Sequence, residues 1–279
     1  MREIDSKDIT AAVRKLSMDA NYYLGEDVLA ALKKFEKLEE SPLGKEILNQ
    51  IIKNADIAAS KQMPLCQDTG LTVLFVEIGQ DVHVKGDFNE AIQEGVRQGY
   101  RDGYLRKSIV VDPLNRKNTG DNTPAVISTV IVPGDKIKLT ILPKGGGSEN
   151  MSRIKMLKPA DGEQGVKEFV IETIKIAGGN PCPPLVVGVG IGGSFDRVAQ
   201  LAKHALLREV GSKHPDPFYA RMEDELLEKI NDTGVGPQGL GGRTTALAVH
   251  IETAPCHIAS LPVAVNTQCH SARHKTVVI

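Results

Sequence analysis

Apolar residues return every three or four positions through the first sixty residues of the chain. Ile9, Val13, Leu16 and Ala20 trace one helical stripe, and Val28, Leu32 and Phe35 trace a second. Ser41-Pro42 joins a capping hydroxyl to a proline suited to the first helical position, and Ile47, Leu48, Ile51, Ile52 and Ala55 form the stripe behind it. Pro64 and Gly70 then break the pattern, and 71–78 is dense in β-branched and apolar residues, as a strand requires. A helix is expected around 89–104, followed by strands at 108–111, 125–132 and 137–142. Further helices are expected over 161–177, 196–210 and 218–230, with strands at 185–189, 244–251 and 261–265 and a glycine-rich loop at 234–242. No linker or internal repeat interrupts this series. The pattern predicts a mixed α/β (α+β) fold, N-terminal helices followed by mixed β-sheet with packed helices, in a single domain over 1–279 with room for two lobes.

Composition narrows the functional classes. The 279 residues carry 34 basic and 35 acidic side chains, a net charge of -1, which excludes a strongly basic nucleic-acid binder. Aromatic residues make up 4% with no Trp, too few for base-stacking platforms. No apolar run approaches the roughly 18 residues of a membrane span, and the polar start, Met1 to Thr10, is not a secretory signal, so a cytoplasmic location is expected. Four cysteines without an export signal or a CxxC pair are expected to be ligands, nucleophiles or core fillers rather than disulfides.

Candidate chemistry gathers in loops. The run Gly188-Val-Gly-Ile-Gly-Gly193 fits the GxGxxG spacing, but the acidic residue that would end a second strand, Glu209, lies in a predicted helix. A dinucleotide site is therefore disfavoured, and what survives is a helix N-terminus suited to an anion. Lys144-Gly-Gly-Gly-Ser148 lacks the ending of a phosphate-binding loop and reads equally as a tight turn or as a place where backbone approaches a ligand. Cys66, Cys182 and Cys269 stand in loops rich in proline or polar residues, unlike core cysteines. Cys256, beside His257, is not excluded by its context. His250, His257, His270 and His274 crowd the C-terminus, and with Cys256 and Cys269 they leave a zinc-bound structural or binding module as an alternative. His250, inside an apolar strand, reads as a core or edge residue.

Taken together, Pro64-Leu-Cys-Gln-Asp-Thr-Gly70, Lys144-Gly-Gly-Gly-Ser-Glu-Asn150, Pro181-Cys-Pro-Pro184 and Gly188-Val-Gly-Ile-Gly-Gly193 resemble the class I, iron–sulfur fumarases. The likeness is narrower still to the α subunit of their two-subunit form, a group shared with L(+)-tartrate dehydratase, and it runs over nearly the whole chain. The resemblance implies a hydro-lyase that hydrates fumarate to L-malate, with dehydration of L(+)-tartrate as the alternative. It implies a [4Fe–4S] cluster held by Cys66, Cys182 and Cys269, with one iron left open to a small dicarboxylate. By the same resemblance Asp68 and His257 are catalytic, Gln67 and Arg106 bind substrate, and the backbone of Gly145, Gly146 and Gly147 contacts it. Such a set makes chemical sense, because hydration involves no net redox change and an iron with an open position acts as a Lewis acid. The resemblance further implies that a separate β subunit completes the active site in an α2β2-type assembly, with no nucleic acid or membrane partner. The apolar tail Lys275-Thr-Val-Val-Ile279 is expected to pair or pack at a subunit border.

Overall fold

A computed structural model describes residues 1–279 and resolves them into two compact units, each with its own core. Unit 1 comprises Met1–Leu24, Ala55–Gly146 and Arg273–Ile279, and unit 2 comprises Gly25–Asn54 and Gly147–Ala272. The class is mixed α/β, as the alternation of periods predicts.

In unit 1 a short parallel pair, β1 (Arg2–Asp5) and β3 (Val82–Lys85), flanks a four-stranded sheet. That sheet contains β2 (Leu71–Gly79), β4 (Val126–Val132), β5 (Ile137–Lys144) and β10 (Lys275–Val278), in the order β10-β5-β2-β4. Helices α1 (Ser6–Tyr22) and α4 (Phe88–Asp102) pack together, and their stripes meet the sheet in one core of Ile9, Val13, Leu16, Ile92, Val96, Leu74, Leu139 and Ile141. Asp5 caps α1 by accepting from the Lys7 N–H at 2.9 Å, and Asp87 caps α4 through Glu90. The tail is an edge strand, antiparallel to β5 of its own chain. One reading needs correction here. The strand expected at 108–111 is a loop with one isolated bridge, Val110 to Asn118, because no neighbouring strand lies beside it to complete a ladder.

Unit 2 contains α2 (Glu26–Leu38), and α3 (Pro42–Lys61) begins in it and ends in unit 1. The Gly44 N–H donates to Ser41 Oγ at 3.1 Å, the cap that Ser41-Pro42 predicts. After α5 (Gly146–Glu149) come β6 (Arg153–Leu157), α6 (Gly162–Ala177), β7 (Leu185–Gly192), α7 (Phe195–Ala205), α8 (Pro217–Asn231), β8 (Ala246–Ala254) and β9 (Leu261–Gln268). The sheet order is β6-β9-β7-β8; β7 runs parallel to β8 and antiparallel to β9. Leu185, Val187, Val189 and Ile191 alternate onto the core formed with Phe169 and Val170 of α6 and Met222 and Leu226 of α8. On the other face lies α7. A Cβ on Gly188 would stand 2.1 Å from Ala202 O, and one on Gly190 would stand 2.3 Å from Val198 O. Gly188 and Gly190 thus form one face of a strand, at a spacing of two, and let α7 lie against β7; they do not make a phosphate loop. No helix is long and apolar enough to cross a membrane.

Candidate functional site

In unit 1 the segment Cys66–Gly70 joins the end of α3 to β2, and buried groups hold it from several directions. Leu65 anchors it by donating its N–H to Asn21 O at 2.9 Å. Gly70 has φ +80°, and a Cβ there would lie 2.7 Å from the Lys144 nitrogen, so only glycine permits the turn to pass so close to β5. The Tyr100 hydroxyl, buried, lies 2.7 Å from Thr69 O and 3.1 Å from Gly70 O and accepts from Thr72 Oγ1 at 3.2 Å. Burial pushes the Tyr100 phenol up, so it stays a proton donor. Asn122 donates from Nδ2 to Gly70 O and accepts from the Ser108 N–H on Oδ1, at 3.2 and 2.7 Å. Arg273, 2% exposed, donates to Asp68 O.

These restraints aim a polar cluster outward. The Asp68 carboxylate accepts from the Gly70 N–H at 3.0 Å on one oxygen and from the Gly146 N–H at 2.8 Å on the other. The Cys66 thiol donates to Gln67 Oε1 at 3.3 Å, and its sulfur lies 3.4 Å from the Asp68 N–H. Thr69 Oγ1 donates to Arg106 O at 2.9 Å, which ties the backbone of Arg106 to the same loop while its guanidinium stays exposed. Cys66, Gln67, Asp68, Arg106 and Gly146 therefore share one neighbourhood within unit 1.

Unit 2 gathers a second set at one end of its sheet. Cys182 has φ +55° and precedes β7, whereas Cys269 follows β9; the pairing of Val186 with Gln268 brings those strand ends side by side. The His270 N–H donates to Cys182 O at 3.2 Å. Gly147 belongs to the same end: a Cβ on it would stand 3.3 Å from Asn180 O, and Thr267 Oγ1 donates to Ser148 O at 2.8 Å. His257 lies elsewhere. It sits in the exposed turn between β8 and β9, where its Nδ1 accepts from the Ala259 N–H at 3.1 Å. β9 begins opposite the C-terminal end of β7, so the eight residues of β7, Leu185–Gly192, separate His257 from Cys182 and Cys269. At the usual strand rise this is ~23 Å.

None of the four cysteines is in a disulfide, and each is exposed or half-buried. Soft thiols in polar loops, one of them within reach of a backbone N–H, are a donor set that fits an iron–sulfur cluster. No group of three or more His, Cys, Asp or Glu side chains is close enough together to hold a metal ion, so the choice among the cysteines rests on their motifs. The C-terminal Cys and His residues in particular are dispersed. His250 is 1% exposed in β8, where burial, then the Arg208 charge, pushes its imidazole down to about 4; His270 is at the opposite end of the sheet from Cys256 and His257; His274 belongs to unit 1.

Known proteins place the chain among hydro-lyases. The profile of the family described as fumarate hydratase (Fumerase) matches residues 10–278, and the chain belongs to that family. A Methanocaldococcus jannaschii protein provisionally named L(+)-tartrate dehydratase subunit alpha is 48% identical over 272 residues, covering 95% of each chain. The L(+)-tartrate dehydratase alpha subunits of Escherichia coli and Shigella sonnei are each 35% identical over 274 residues, covering 97% of this chain and 90% of theirs.

The polar supports Tyr100, Asn122, Arg273 and Gln238 escape a reading of motifs. Gln238 alone carries a local signal, as an amide side chain inside the glycine-rich loop at 234–242.

Proposed function

We propose that this chain is the α subunit of a two-subunit, iron–sulfur hydro-lyase that interconverts fumarate and L-malate, acting as one catalytic module over residues 1–279. The observation that carries the reading is the pair of clusters to which Gly146 and Gly147 contribute. One contains Cys66, Gln67, Asp68 and Arg106, and the other contains Cys182 and Cys269. Cys66, Cys182 and Cys269 would hold a [4Fe–4S] cluster, which when bound supplies an open iron as Lewis acid toward the substrate's carboxylate and hydroxyl.

This chain's residues do the rest. The exposed Arg106 guanidinium grips a carboxylate with two parallel N–H donors. Gln67, beside the first cysteine, orients the substrate through its amide. Two backbone donors fix the plane of the Asp68 carboxylate, leaving lone pairs to take up or release the proton that moves during hydration. Gly146 and Gly147, exposed and without side chains, let substrate approach the backbone. With ~23 Å between His257 and both Cys182 and Cys269 of its own chain, His257 serves the site of a second α chain. That arrangement suits an α2β2-type assembly, with a β subunit supplying the contacts to the far end of the dicarboxylate.

A second reading, dehydration of L(+)-tartrate, draws on the names of the relatives. Steady-state assays of the complex on L-malate, fumarate and L(+)-tartrate separate the two, and kcat/KM higher for L(+)-tartrate than for L-malate overturns the first. Co-assembly of Cys182→Ser with His257→Asn α chains tests the shared site. Each is expected to be inactive alone, and the mixed assembly to regain activity through the one site with both native residues. No recovery, with both chains folded, removes His257 from a site shared in this way.

A further inference from the structure

Two successive carbonyl groups, Cys182 O and Pro183 O, follow the Cys182 side chain along the backbone, and Gln238 and His270 secure them. The Gln238 N–H donates to Pro183 O at 2.8 Å, and Gln238 Nε2 donates to the same oxygen, also at 2.8 Å. Because a carbonyl oxygen only accepts, this contact fixes which end of the amide is nitrogen. The His270 Nδ1 lies 3.0 Å from that nitrogen and 3.1 Å from Cys182 O, so the ring accepts from Gln238 as the Nε2–H tautomer and donates to Cys182 O as the Nδ1–H tautomer. The His270 N–H meets Cys182 O as well. Gln238 is held in a left-handed conformation, φ +53°, and its neighbour Gly239 lies so close to Gly179 that a Cβ would stand 2.4 Å from the Gly179 Cα.

The loop that presents Gln238 is itself anchored. Gly236 donates to Thr245 Oγ1 at 3.0 Å. Buried Glu39 accepts from the N–H groups of Arg243 and Thr244 at 2.9 and 2.7 Å.

We propose that Gln238 is a positioning residue of the cluster site, acting through Pro183 and His270 to hold the Cys182 and Cys269 loops at a set separation. The role rests on the iron–sulfur reading given above. It follows from where the bonds fall: Gln238 bonds to the residue after Cys182 and lies against the residue after Cys269. A ligand set of three has no spare member to compensate for a displaced loop, so loosening this contact speeds loss of iron without unfolding the sheet.

The test uses the full α chain with its β subunit and the isosteric Gln238→Glu variant, which replaces the amide donor with an acceptor. The melting temperature is expected to stay within a few degrees of wild type. Release of iron to a chelator, followed anaerobically at ~400 nm, is expected to be about tenfold faster. In the iron-free complex, mass spectrometry of alkylated peptides is expected to show faster modification of Cys182 and unchanged modification of Cys66. Wild-type rates in both measurements overturn the proposal. Wild-type protein that never takes up iron overturns the iron–sulfur reading instead, while the alkylation comparison still tests the contact. If Gln238→Glu does not fold, His270→Ala is measured in the same way, and wild-type rates there overturn the proposal equally.

Discussion

The two units hold their cysteine loops by different means. In unit 1 the 66–70 loop rests on side chains that arrive from distant parts of the chain: Tyr100 from a helix, Asn122 from a loop, Arg273 from the segment before the last strand. In unit 2 the Cys182 and Cys269 loops leave neighbouring strand ends and are tied to each other through main-chain carbonyls, with Gln238 and His270 as the cross-piece. A loop held by several separate side chains loses a fraction of its support with each deletion. Loops held by close backbone contact fail sharply, because no atom can enter without moving the chain.

The largest effect sharpens the part the two have in common. Cys66→Ser, Cys182→Ser and Cys269→Ser are each expected to abolish the iron–sulfur absorption and the activity, and Cys256→Ser to keep both. Iron retained by Cys269→Ser and lost by Cys256→Ser reverses the assignment of the third ligand. Next comes the packing of unit 2. Gly190→Ala places a methyl 2.3 Å from Val198 O and is expected to cost about 3 kcal/mol, read as a fall in the denaturant midpoint. An unchanged midpoint means that α7 can move away from β7 cheaply.

Glu39 follows. Burial pushes its carboxyl up, but the N–H donors of Arg243, Thr244 and Ser41 outweigh burial and hold it at about 2 against an ordinary 4.5. Its stabilising contribution is therefore complete above about pH 4.5 and is lost as pH falls through 2. Glu39→Gln is expected to lose about 1–3 kcal/mol at neutral pH and to show a flatter stability profile between those two pH values. Parallel profiles for variant and wild type remove Glu39 as the source. The smallest effect belongs to unit 1: Tyr100→Phe is expected to cost about 1 kcal/mol, because Asn122 and Arg273 still hold the loop. A loss as large as that of Gly190→Ala would erase the contrast between the units.

Much of the fold was legible from periodicity. The stripes of α1, α2 and α3 and the cap at Ser41 needed only local spacing, and the apolar runs of β2 and β9 marked buried strands. β6 was missed because it is short and alternates with charged residues, so only pairing to β9 makes it a strand; the tail was legible as an apolar pairing segment, but not that β5 is its partner. The glycines at 188 and 190 were legible as unusual but not as to cause, since a spacing of two suits a strand face and a phosphate loop alike. Of the candidate site, the motifs picked out the loops that bear the cysteines. The 23 Å or so between His257 and two of them depends on strand register.

What the sequence determined by itself is therefore the alternation of helix and strand, the family, and the loops that carry thiols and carboxylates, because these depend on residues a few positions apart. The tertiary structure alone decided which residues support those loops and which lie far from them. Tyr100 reaches Thr69, Gln238 reaches Pro183, and Glu39 reaches Thr244 across 31, 55 and 205 positions. A hydrogen bond over such a separation leaves no periodic trace in the chain, since its partners are set by how sheets and helices pack and not by spacing along the backbone.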